Sequence, residues 1–228
     1  MFLTRLARTG ARVARPTARG AAQRHAPVRP MSFIVEDHEG QKVRLVDKLL
    51  ADRIVLVHDQ ITPALSNSIV MQLLYLESQD PELPIDMYIN SPGGCVYSGL
   101  AIYDLMMYTR CRVNTFCYGN AMSMASILLA AGAEGSRHIM PNARVMIHQP
   151  LGGVSGAASH IQVHAEEILK TKGKLIDILS THTGVDADTL DAVMERDRFF
   201  SSDEAVEFGI VDKVLAPPAL ADLASGDE

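Results

Sequence analysis

Ile85-Asp86-Met87-Tyr88-Ile89-Asn90-Ser91-Pro92-Gly93-Gly94 is the stretch that decides the fold. Its first six residues read as an apolar strand, Ser-Pro-Gly-Gly breaks it, and an apolar helix follows over about 97–109. The same order returns at once. Arg112 to Tyr118 reads as a strand, Gly119-Asn120 as a turn, and 122–131 as a helix closed by Gly132. Upstream, Arg53 to His58 is a short apolar strand. Thr62-Pro63 then supplies an N-cap with proline at the first helical position. That helix runs to about Glu77 and sets Leu65, Ile69, Leu73 and Leu76 on one face. Strand, turn, helix in repetition predicts an α/β fold with a largely parallel sheet. Both glycine-containing turns then lie at carboxyl ends of strands, where such sheets place their sites.

The remaining elements follow outward. Residues 33–50 read as an irregular or hairpin start and a short helix. Strands are predicted near 137–140 and 144–148, then a Gly-rich link, Gly152 to Ala157, and a long helix over about 159–182 ending before Gly184. A short helix covers 187–195. Ser201-Ser202-Asp203-Glu204 is a capping box that starts a helix stopping at Gly209. Ile210-Val211 and Val214-Leu215 form the last expected strand, and the tail 216–228 is small and polar.

Charge divides the 228 residues unevenly. Residues 1–30 hold seven Arg, no Lys and no acid, the composition of a mitochondrial transit peptide, with cleavage expected within 25–32. The rest carries 14 Lys and Arg against 27 Asp and Glu, a net charge of −13, which disfavours a nucleic-acid binder. No stretch is apolar for long enough to span a membrane. The three cysteines, Cys95, Cys111 and Cys117, form neither a CxxC nor an even set, so reduced thiols are expected. One domain over 31–215 is the resulting expectation.

Candidate chemistry centres on Ser123 and His148. Ser123 stands in Ala121-Met122-Ser123-Met124-Ala125 at a predicted helix N-terminus, where free amides favour developing negative charge. The Met124 amide could donate to an oxyanion, and Gly93-Gly94 offers a second donor with no side chain in the way. The G-x-S-x-G elbow is absent, which argues against an α/β-hydrolase. His148 ends a short apolar strand and could serve as base. A carboxylate should orient it, and Glu166, Glu167, Asp177, Asp197 and Asp203 are all open by composition. His160 and His164, four apart on the long helix, could share a metal. The zinc-protease pattern needs Glu after the first His, where Ile161 stands, so the pair reads as helix surface. Neither a Walker A sequence nor G-x-G-x-x-G occurs, so no cofactor and no metal are expected.

Several motifs then converge: Tyr88 to Gly94, Gly119-x-Ala121-x-Ser123-Met124-Ala125, Leu128 to Gly132, Pro141 to Pro150, and Glu195-Arg196-Asp197-Arg198. From about Arg53 to Leu215 this series resembles the proteolytic subunit of the Clp protease, ClpP, in its mitochondrial form. The resemblance implies a crotonase-like ββα spiral head with a protruding strand-helix handle at about 151–182. It implies a Ser123, His148, Asp197 triad, with oxyanion amides at Gly94 and Met124. Tyr88 and Phe116 match the family's docking pocket for an unfoldase. Arg196 and Arg198 match positions that couple ring–ring contact to the triad. Two stacked heptameric rings, a separate AAA+ unfoldase of the ClpX type that uses the ATP, unfolded polypeptide substrates and the mitochondrial matrix complete the expectation. Departures fall in Val43 to Leu50, in residues 33–42, at Asn120 and at Met122, whose bulk is expected to alter the specificity pocket or its packing. The competing readings are a catalytically silent ring subunit and a crotonase-type acyl-CoA enzyme.

Overall fold

The computed structural model of the chain describes residues 33–36 and 40–215, so the expected transit peptide at 1–30 and the tail at 216–228 lie outside the described residues. A small antiparallel hairpin, β1 (Ile34–Glu36) and β2 (Lys42–Arg44), opens it and leads into α1 (Leu45–Ala51). The main body alternates as its sequence suggests: β3 (Ile54–His58), α2 (Pro63–Gln79), β4 (Ile85–Ser91), α3 (Val96–Tyr108), β5 (Val113–Met122) and α4 (Met124–Ala130). Then come β6 (Arg137–Ile139), β7 (Arg144–Ile147), α5 (Ala158–Thr183), α6 (Ala187–Val193), β8 (Arg198–Phe200), α7 (Ser202–Glu207) and β9 (Lys213–Val214).

Strands β3, β4, β5, β6 and β9 pair in parallel in that order, β7 joins the far end of β5, and β8 pairs antiparallel to β7. The helices bury one face of this sheet. Val55, Val57, Met87, Ile89, Cys117 and Ile139 all have zero exposure beneath them. Along β4 every second residue is buried, the period of a strand with one covered face. Thr62 caps α2 by accepting from the Leu65 amide at 3.2 Å, with Pro63 as the first helical residue. The expected capping box is present: Ser201 accepts from the Glu204 amide, and Glu204 reaches back to the Ser201 amide. Among the described residues no helix is long and apolar enough to cross a membrane.

Four expectations need correction. Gly119-Asn120 does not end a strand. β5 continues through it to Met122 because the Asn90 side chain accepts from the Asn120 amide and side chain, at 3.2 and 3.1 Å, and carries the ladder past a bulge. Gly119, at φ +76°, bends the strand there, so its first half pairs β6 and its second half pairs β7. Next, the expected strand at Ile210-Val211 is instead the wrap of α7, since both amides donate to the Ala205 carbonyl; only Lys213–Val214 pair. The charged turn around Asp197 runs directly into a strand, β8, over residues whose sequence presents only apolar positions after a turn. Finally, residues 151–157 form no strand: the Gly-rich segment joins no ladder among the described residues. The handle is therefore a link plus α5. The first half of that helix, 158–170, stands open to solvent except for half-buried Ile168, while Leu175, Ile176, Ile178 and Leu179 enter the core.

One buried ion pair closes the body. Arg137 donates to Asp212 at 2.6 and 3.0 Å, and to the carbonyls of His182 and Gly209 at 2.7 and 2.9 Å. Burial pushes the Asp212 carboxyl up, but bonds from the Arg137 guanidinium and amide outweigh it and hold it below the ordinary carboxylate range. A depressed carboxylate contributes stability that is present above its unfolded pKa, about 3.9. That stability is lost as pH falls through the folded value. Asp212→Asn is expected to lower unfolding free energy by about 3 kcal/mol at pH 7, because it leaves a buried guanidinium short of its partner. The deficit should shrink as pH falls below about 4, where the unfolded-state carboxylate takes up its proton, and vanish once pH has passed below the depressed folded value. Denaturant unfolding across pH reads both effects.

Candidate active site

The register of two ladders assembles the site. β5 pairs β7 with Met122 opposite Met146, so Ser123 leaves β5 beside the end of β7. Its amide donates to the Met146 carbonyl at 2.8 Å. β7 pairs β8 with Ile147 opposite Arg198. One step further along the antiparallel ladder, His148 faces Asp197. The outcome is a continuous line: His148 Nε2 lies 2.8 Å from Ser123 Oγ, and His148 Nδ1 lies 3.0 Å from Asp197 Oδ1. Register alone selects Asp197 from the five acids that composition left open. The other four, Glu166, Glu167, Asp177 and Asp203, sit on α5 or α7 with no bond to His148. The His148 side chain is 14% exposed, and that of Asp197 is 58% exposed.

Ser123 has φ 54° and ψ −125°, a conformation that costs a non-glycine residue on the order of 1–3 kcal/mol. Its surroundings enforce it. The Ser126 amide and hydroxyl both bond the Ser123 carbonyl, at 3.0 and 2.6 Å, and Ser126 is fully buried. The bend places Met124 as the first residue of α4, where its amide has no partner within the helix.

The Gly93-Gly94 turn presses against this bend. A side chain at Gly93 would begin 2.5 Å from the Met122 carbonyl and 2.7 Å from Ser123 Cβ, and Gly93 holds φ +86°. Gly94 bridges to Ile61: the Ile61 amide donates to the Gly93 carbonyl, and the Cys95 amide to the Ile61 carbonyl, both at 2.8 Å. In such a parallel bridge the central residue's own N–H and C=O point away from the partner. The Gly94 amide is thus directed off Ile61, and the Met124 amide is the second free donor beside Ser123.

Sequence reading missed the residues that hold this geometry. Ser91, fully buried, donates to the Asp59 carbonyl at 2.6 Å and accepts from the Gly93 amide at 3.1 Å, which shapes the glycine turn. A serine just before Pro-Gly-Gly was a readable signal of such a turn. Gln149 donates from its amide to the Met194 carbonyl at 2.7 Å and from its side chain to the Glu195 carbonyl at 2.9 Å, fixing the loop that carries Asp197. Lys172 on α5 holds the same loop from the other side, 2.6 Å from Asp191 and 3.4 Å from Glu195. No local pattern announces these last two, because both act across long sequence separations.

The other sequence-predicted residues fall elsewhere. Arg196 and Arg198 are exposed beside Asp197, and among the described residues neither forms an ion pair with it. Arg198 instead lies 3.7 Å from Glu204 and over the Phe200 ring. Tyr88 and Phe116 stack at 4.8 Å on the half-exposed sheet face, and His138 continues the stack at 4.8 Å. Met122 does not line the apolar pocket beside Ser123 and His148. Val96, Met124, Ile127, Leu175, Leu179 and Met194 do.

A parallel α/β sheet carrying a serine–histidine–carboxylate line beside two free amides defines a class: proteins arranged for acyl transfer at a serine. The family model for Clp protease matches residues 37–218. The ATP-dependent Clp protease proteolytic subunit of Bdellovibrio bacteriovorus is 52% identical over 174 residues, 75% of this chain and 82% of that protein. The chain belongs to the Clp protease family, and that membership implies a serine endopeptidase.

Gly93→Ala should cost about 2 kcal/mol or more, since the positive φ and the backbone collisions act together. Its Tm is expected to fall, whereas Gly135→Ala, at a position with a similar φ but open space, should fall less. Lys172→Met should leave the midpoint of global unfolding nearly unchanged, since its ion-pair partners are exposed. It should nevertheless speed amide exchange in 194–197 several-fold, as hydrogen-exchange mass spectrometry would read.

Proposed function

We propose that this chain is the peptide-cleaving ring subunit of an ATP-dependent chambered protease. The observation that carries the reading is the bonded Ser123–His148–Asp197 line facing the Gly94 and Met124 amides. His148 Nε2 takes the Ser123 proton as Oγ attacks the scissile carbonyl carbon. The Gly94 and Met124 amides hold the oxyanion of the tetrahedral intermediate. The intermediate collapses, the C–N bond breaks, and the imidazolium returns its proton to the leaving amine. Water then enters by the same steps in reverse and releases the acid from Ser123. Asp197 keeps Nδ1–H directed away from the serine and stabilises the transient cation.

A serine peptidase without fold specificity has to be kept from native proteins. Two stacked heptameric rings with the site facing an enclosed chamber would do so, and a separate AAA+ unfoldase of the ClpX type would supply unfolded chains and consume ATP. The chain carries no Walker A sequence, which supports that division. The half-exposed Tyr88–Phe116 stack supports those residues as the docking point, with Arg196 and Arg198 at the ring–ring contact. The Arg-rich, acid-free residues 1–30 support mitochondrial import and a role in matrix protein quality control. The intact bonded line disfavours a silent ring subunit.

Hydrolysis of a short fluorogenic peptide, measured with native mass, tests the reading. The wild type is expected to be active as a tetradecamer. Ser123→Ala should lose at least about a thousandfold, and Asp197→Asn a comparable factor, with the native mass retained. A wild-type tetradecamer with no peptidase activity, or Ser123→Ala with full activity, would contradict it.

A further inference from the structure

The two amides beside Ser123 stand at the starts of two different helices. Gly94 lies two residues before α3, and Met124 is the first residue of α4. The Gly93 turn already touches the strand end, where a side chain would meet the Met122 carbonyl and Ser123 Cβ. A second contact lies one turn into α3. Gly99 is buried there, and its amide donates to the Cys95 carbonyl at 3.0 Å to close the first turn of the helix. The Met124 side chain occupies the space that a side chain at 99 would need. A Cβ at that position would overlap Met124 Cγ and lie 2.9 Å from its Sδ and Cε.

Glycine inside a helix is intrinsically less favourable than alanine, and the close approach of α3 and α4 is what offsets that cost here. The overlap involves the near end of the methionine, since Cγ is placed by χ1 alone. Met124 is 2% exposed, so its side chain has no solvent-filled space to swing into. The cavity it borders is the one beside Ser123 and His148. A side chain at 99 therefore drives the start of α4 back or pushes Met124 into that cavity. Two contacts a turn apart fix both the distance and the tilt between the helix starts, whereas the Gly93 contact alone would leave a pivot.

We propose that Gly99 is a positioning residue: by seating the Met124 side chain it holds the Met124 amide in register with the Gly94 amide. The inference rests on the peptidase reading and concerns the same site. Amide donors stabilise an oxyanion only where they are already aimed at it, and a misplacement of about 1 Å can cost on the order of a hundredfold in rate.

The test uses full-length wild type, Gly99→Ala, Met124→Ala and the double variant. Each is assayed on a short fluorogenic peptide and with two inhibitors, a peptide aldehyde and the corresponding peptide alcohol. Ser123 Oγ adds to the aldehyde carbon, the serine proton passes to His148, and the aldehyde oxygen becomes the oxyanion. The alcohol fills the same pocket and forms no adduct, so the ratio of the two Ki values reports the amides alone. Gly99→Ala is expected to lower that ratio and kcat together by at least about tenfold, with KM within about threefold. Loss of folded protein would lower apparent kcat but leave the ratio as it was. Met124→Ala empties the seat without adding bulk and should lower the ratio at least about threefold, which decides the matter even if Gly99→Ala does not fold. In the double variant the shorter side chain makes room for the new methyl, so its ratio should exceed that of Gly99→Ala. An unchanged ratio in either folded single variant would overturn the proposal, as would a double variant no better than Gly99→Ala. A wild type that neither cleaves the peptide nor prefers the aldehyde would overturn the peptidase reading itself, a result distinct from an active wild type whose preference survives the substitutions.

Discussion

Everything at the site depends on the double pairing of β7. This four-residue strand is parallel to the end of β5 on one side and antiparallel to β8 on the other. Because the side-chain period of a strand is two, a one-residue slip in either ladder would turn His148 away from Ser123 or from Asp197. The buried residues Val145 and Ile147, at 0% and 1% exposure, resist such a slip, since it would bring their side chains out of the core. Phe200, opposite Val145 and 1% exposed, fixes the second ladder in the same way. The Ser123–His148–Asp197 geometry is thus a by-product of core packing.

A second constraint acts at right angles to the first. The Ser123 backbone is strained, and strain of this kind persists only where neighbours over-determine it. Here the neighbours are backbone: the Met146 carbonyl, the Ser126 amide and the Gly93 turn. Gly93 and Gly94 allow the two turns to touch without side chains between them, and Ser91 locks their shape from beneath. Amide donors fixed in this way would need no rearrangement if negative charge developed beside Ser123, which is how such donors contribute most.

Much of this was legible from pattern. The α/β class followed from strand, glycine turn and helix recurring, and the caps at Thr62 and Ser201 were named by residue type alone. Ser123 and His148 stood out by position, at a helix start and a strand end. Asp197 did not. By composition five acids were equivalent; only the family resemblance pointed to Asp197, and the β7–β8 ladder places it opposite His148, while β8 itself was hidden because Arg198–Phe200 is too short to show alternation. The extension of β5 through Gly119-Asn120 was hidden for a similar reason. Glycine and asparagine read as a turn, and only the Asn90 side chain thirty residues earlier supplies the bonds that override that preference. Gln149 and Lys172 act over comparable separations and leave no local signature.

The central claim is that strand register delivers an activated Ser123. Reaction of the intact protein with a serine-directed fluorophosphonate, followed by mass-spectrometric location of the adduct, tests it most directly. The account predicts one adduct, on Ser123, formed at a rate that collapses in His148→Ala although the fold is retained. An adduct on another residue, or undiminished labelling of Ser123 without His148, would contradict it.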